Sequence, residues 1–109
     1  GVKMTEEQNT AELQKIVQEL QIIRSQIQTF SSQSSEYSLT MDSLESQNPD
    51  KPVYRSVGNL LLEVDDREKL FQELSESKLN IENHLKLLIE REESLREKYE
   101  ELVAAFESQ

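Results

Sequence analysis

The sequence predicts a mainly α fold, a long antiparallel two-helix coiled coil with one β-hairpin at the joint, and three observations carry it. Apolar residues recur at alternating steps of three and four along two stretches of similar length. Between those stretches lies Val53-Tyr54-Arg55-Ser56-Val57-Gly58-Asn59-Leu60-Leu61-Leu62-Glu63-Val64, two short runs rich in Val, Leu and Tyr split by a Gly-Asn dipeptide. Pro49 and Pro52 stand just before it, where neither can continue a helical hydrogen-bond ladder.

The first helix is expected over residues 5–47. Thr5 followed by Glu6, Glu7 and Gln8 matches a capping box, with Thr5 as N-cap and Gln8 reaching back, and the two acids suit the positive end of the helix dipole. Its seam runs through Leu13, Ile16, Leu20, Ile23, Ile27, Phe30, Ser34, Tyr37, Met41 and Leu44. The Ser-rich part from Ser31 to Ser38 is weak in propensity, but the seam passes through it in phase, which keeps it helical. Ahead of Thr5, residues 1–4 read as a disordered N-terminus or a vector-derived scar, with Met4 as the natural start.

Residues 48–64 form the hairpin region. A two-residue turn at Gly58-Asn59, suited to positive φ values, sets Val57 against Leu60, Ser56 against Leu61, Arg55 against Leu62, Tyr54 against Glu63 and Val53 against Val64. One face is then Val53, Val57, Leu60, Leu62 and Val64 with Arg55 as its only charge. A lone hairpin is marginal in water and has two open edges. Burying a Val or Leu is worth roughly 1.5–3 kcal/mol, so this face favours association, most simply with hairpins of other subunits closing into an intersubunit β-barrel.

The second helix is expected over 65–108, with Asp65 as N-cap and Glu68 three residues on. Its seam runs through Phe71, Leu74, Lys78, Ile81, Leu85, Leu88, Glu92, Leu95, Tyr99, Leu102 and Phe106, broken at Lys78 and Glu92. Folding back across the hairpin pairs Met41 with Leu74, Phe30 with Leu85 and Leu13 with Leu102, and brings Lys78 beside Ser34 and Tyr37. Polar residues on a seam lower stability and can fix register.

Composition excludes several functions. The net charge is −10, carried by the helices, with no basic cluster for a phosphate backbone, so nucleic acid is not an expected partner. There is no cysteine, hence no disulfide, thiolate nucleophile or thiolate metal site. No run of about 18 apolar residues predicts a membrane span, and a cytoplasmic location is expected. His84, the one histidine, flanks the seam beside Leu85 and reads as solvated rather than catalytic. Glu90, Glu93 and Glu97 share a helix face without further ligands, so no metal is expected, and no cofactor loop or catalytic constellation is present.

A coiled-coil arm with a single hairpin at its joint resembles the β-type subunit of prefoldin. The specific part is the segment Val53 to Val64 with its Gly58-Asn59 turn, followed by Asp66-Arg67-Glu68-Lys69-Leu70; the α-type carries two hairpins. The resemblance implies a hexamer of two α-type and four β-type subunits, or of six different chains, whose hairpins form a double β-barrel platform bearing six coiled coils. It implies an ATP-independent holdase, not an enzyme, that captures unfolded polypeptides and passes them to a group II chaperonin.

On that reading Val53, Tyr54, Val57, Gly58, Asn59, Leu60, Leu61, Leu62 and Val64 assemble the subunits. Fraying at the arm end would expose apolar residues to clients, with Leu13, Ile16 and Val17 on one helix and Leu102, Val103 and Phe106 on the other as candidates. Glu97, Glu100, Glu101 and Glu107 form an ordinary solvated face or, more specifically, a docking patch for a basic surface of the chaperonin. The alternative to a holdase is a homo-oligomeric coiled-coil scaffold or adaptor, in which the hairpins merely join subunits.

Overall fold

The structure is a computed structural model that describes residues 5–108, so the disordered N-terminus or scar expected at residues 1–4 lies outside the described residues. The elements follow the order α1 (Glu6–Ser46), β1 (Tyr54–Val57), β2 (Leu60–Glu63) and α2 (Arg67–Glu107). Each helix has 41 residues, which at 1.5 Å per residue is roughly 60 Å of helix.

The start of α1 is held as its sequence requires. Thr5 donates its N–H to Gln8 Oε1 at 2.8 Å, and Gln8 donates its N–H to Thr5 Oγ1 at 3.1 Å, a reciprocal capping box. At α2 the cap is one residue later than expected. Asp66, not Asp65, accepts from the Lys69 N–H at 3.0 Å. The pairing of Val53 with Val64 carries the extended backbone past the formal strand end, and Asp65 is spent turning the chain.

The joint is fastened by local bonds. Asn48 Oδ1 accepts from the Asp50 N–H at 3.0 Å, and the Asn48 carbonyl accepts from the Lys51 N–H at 3.0 Å and from Arg67 Nη1 at 3.4 Å. The last of these ties the exit of α1 to the entry of α2. The strands pair antiparallel in the expected register, Tyr54 with Glu63, Arg55 with Leu62, Ser56 with Leu61 and Val57 with Leu60. The turn differs in one respect. Gly58 alone takes a positive φ, 57°, and Asn59 does not, the sign pattern of a turn with glycine at its first central position. A Cβ at Gly58 would meet no atom within 4 Å, so any cost of replacing it comes from the backbone conformation alone.

Near the hairpin the helices run antiparallel: Ser34 on α1 meets Glu82 on α2, and Leu44, further along α1, shares a groove with Phe71, further back along α2. Farther from the hairpin in sequence, Arg24 on α1 meets Glu92 on α2. The chain divides into a distal unit, Gly1–Thr29 with His84–Gln109, and a hairpin-proximal unit, Phe30–Asn83. In the distal unit Ile16, Leu20 and Leu95 are buried in one cluster, with Ile23 and Leu102 packed against it. In the hairpin-proximal unit every described side chain is at least partly exposed.

Candidate functional site

Among the described residues, the hairpin carries the longest run of exposed apolar side chains. Val64 donates its N–H to the Val53 carbonyl at 2.8 Å, which makes this a hydrogen-bonded pair, as are the alternate pairs 55/62 and 57/60. The N–H and C=O groups of Tyr54 and Ser56 on one edge, and of Leu61 and Glu63 on the other, therefore point away from the two-stranded sheet. Val57, Leu60 and Leu62 project on one face and are 48%, 62% and 46% exposed. On the opposite face Tyr54 and Leu61 are 56% and 71% exposed. Val53 and Val64, at the base, are half-buried.

Arg55, the only charge on the first face, reaches Glu73 of α2 at 3.9 Å. Beside it an open groove of about 460 Å³ lies between the last turns of α1, at Leu44 and Gln47, strand β1, and Leu70 and Leu74 of α2. The geometry offers apolar area and unpaired backbone edges, which suits protein association. Among the described residues no group of three or more acidic or histidine side chains is placed to hold a metal ion. No helix there is long and apolar enough to cross a membrane.

The arm end differs from the expectation of a frayed tip. Ile16, expected to face clients, is 2% exposed because it packs in the core with Leu20 and Leu95. Leu102 packs against the same core, and Leu13 and Val103 are half-buried. Val17 and Phe106 remain, each 38% exposed. Tyr99, a seam residue not expected at the surface, is also exposed and shares a shallow groove with Val17, Leu20 and Arg96. Ile22, Leu87 and Ile89 are exposed apolar residues that heptad counting could have found, since all three fall off the seam. Asn9 is buried and occupies the next seam position before Leu13, an extension of the seam that apolar counting passes over.

The polar seam residues are paired. The Glu92 side chain is only 19% exposed, and its Oε1 receives Arg24 Nη2 at 3.1 Å and Nε at 3.3 Å. The preceding residue, Arg91, reaches Glu19 Oε2 at 3.4 Å. Glu19 lies just before the seam residue Leu20 and Arg24 just after Ile23, so the two pairs flank the seam on opposite sides. Nearer the hairpin, Ser34 Oγ donates to Glu82 Oε1 at 3.5 Å, and Lys78 Nζ lies 3.7 Å from the same oxygen. The expected meeting of Lys78 with Ser34 is thus made through Glu82. Glu97, Glu100, Glu101 and Glu107 are all exposed along the end of α2.

Comparison with known proteins agrees with this architecture. The family model described as prefoldin subunit matches residues 7–108. The prefoldin subunit beta of Thermoplasma acidophilum is 32% identical over 91% of this chain and 86% of its own length. That of Archaeoglobus fulgidus is 32% identical over 84% of this chain and 78% of its own. A shorter match, to the subunit beta of Thermoplasma volcanium, is 41% identical and spans 61% of this chain and 53% of that protein. Among solved structures, the prefoldin beta subunit from Thermococcus strain KS-1 superposes with a TM-score of 0.83 at 31% identity, covering 92% of this chain and 87% of that one. The single hairpin, the two capped helices of equal length and the match along nearly the whole chain lead to one conclusion: the chain belongs to the prefoldin family, among subunits of the β type.

Proposed function

We propose that this chain joins α-type and other β-type prefoldin subunits through its hairpin, in a hetero-hexameric, cytoplasmic holdase that needs no nucleotide. The complex would capture unfolded polypeptides at the arm ends and deliver them to a group II chaperonin. Prefoldins are chaperones and not enzymes, and the chain belongs with them. One observation carries the assembly reading. All eight strand residues are exposed, Leu60, Leu61 and Leu62 among them, on a sheet with two open edges. Such a surface is stable in water only when covered.

Client holding calls for apolar surface of low specificity, and the exposed Val17 and Phe106, with the half-buried Val103, offer it at the arm end. Several weak contacts around one cavity would add through avidity. The test is suppression of aggregation of a chemically unfolded model protein by the chain mixed with an α-type prefoldin subunit, with size followed by light scattering. Changing Val17, Val103 and Phe106 together to Ser spares Leu102, which packs on the core. The altered complex should assemble normally and lose most of the suppression. If the unaltered complex assembles but never suppresses aggregation, the chain serves as a scaffold.

For the chaperonin, Glu100→Lys with Glu101→Lys should weaken binding at low salt by roughly tenfold and flatten its salt dependence, with client holding unchanged. Unchanged affinity at low salt would remove these glutamates from the docking surface.

A further inference from the structure

We infer that association through the hairpin completes the folding of the hairpin-proximal unit, whereas the distal unit holds its structure in the single chain. The inference rests on the assembly proposed above. Among the described residues, all three buried apolar side chains, Ile16, Leu20 and Leu95, belong to the distal unit. So do ion pairs that cross between the helices, Arg24 with Glu92 and Arg91 with Glu19, whereas the hairpin-proximal unit has the longer Ser34–Glu82 bond, 3.5 Å, across them. The hairpin-proximal unit has no buried side chain among its described residues, and its seam carries Ser34 and Lys78. The weak helix formers from Ser31 to Ser38 also fall within it.

The hairpin itself is attached by few polar contacts, Arg55 to Glu73 at 3.9 Å among them. Two strands alone are marginal in water, and local stability follows local burial. Covering Leu60, Leu61 and Leu62 and pairing the open edges would supply what this unit lacks. Order in the hairpin-proximal unit therefore depends on subunit concentration, and order in the client-facing end does not. A subunit would carry a finished arm end before it meets its partners.

Hydrogen exchange read by mass spectrometry tests this, on the chain alone at low concentration and in complex with an α-type prefoldin subunit. In the single chain, amides of residues 13–27 and 86–102 should exchange at least about tenfold more slowly than those of 31–44 and 70–81. On assembly the second set should slow by about tenfold or more, with the first nearly unchanged. Equal protection of the two sets in the single chain would overturn the inference, as would an equal gain on assembly. Light scattering on the same samples separates this from failure of the assembly reading. If no complex forms, that reading falls and the coupling with it, whereas the gradient is decided by the single chain alone.

Discussion

Leu60→Asp combined with Leu62→Asp should abolish subunit assembly and leave the helices of the distal unit in place. The two leucines share one hairpin face and are 62% and 46% exposed. Covering what remains exposed of each is worth roughly 1–2 kcal/mol, so losing both weakens association by roughly tenfold to a few hundredfold before the desolvation of two carboxylates is added. Neither side chain belongs to the core of the distal unit, so the helical circular dichroism of the arm end should survive. The outcome is read by light scattering on a mixture with the α-type partner. A full-sized complex from the doubly charged chain would show that this face is not what joins the subunits.

The second large effect is expected in the distal unit. Leu95 is 2% exposed and is the largest fully buried side chain among the described residues. Leu95→Ala leaves a cavity in a cluster with only Ile16 and Leu20 as its other buried members, for a cost of about 2–5 kcal/mol. Thermal unfolding should move down by roughly 10 °C or more. The same change at Leu87, 64% exposed, should cost less than about 0.5 kcal/mol. Similar losses at the two positions would mean that the distal core does not hold the arm end closed.

Most of this architecture is legible in the sequence because the signals are local and redundant. The capping box at Thr5 and Gln8 is written in adjacent residues, and both of its bonds form. The hairpin register follows from one dipeptide and is observed pair by pair. The cap of α2 falls one residue beyond the position its sequence pattern indicates because Asp65 and Asp66 are equally good caps, and only the length of the strand pairing selects Asp66. Exposure at the arm end was harder to read. A heptad names the residues that face the partner helix and does not say how completely the partner covers them, so Ile16 looked available and is buried. Glu92 read as a break in the seam because its partner, Arg24, lies 68 residues away in the chain.

Arg91 and Glu92 are neighbours on α2, yet they grip α1 on opposite flanks, at Glu19 and at Arg24. A roll of α2 about its own axis would draw one of these contacts together while pulling the other apart, so the two resist rotation in both senses. Within the distal unit the two pairs therefore act as opposed stays on one helix, each limiting the rotation that the other permits.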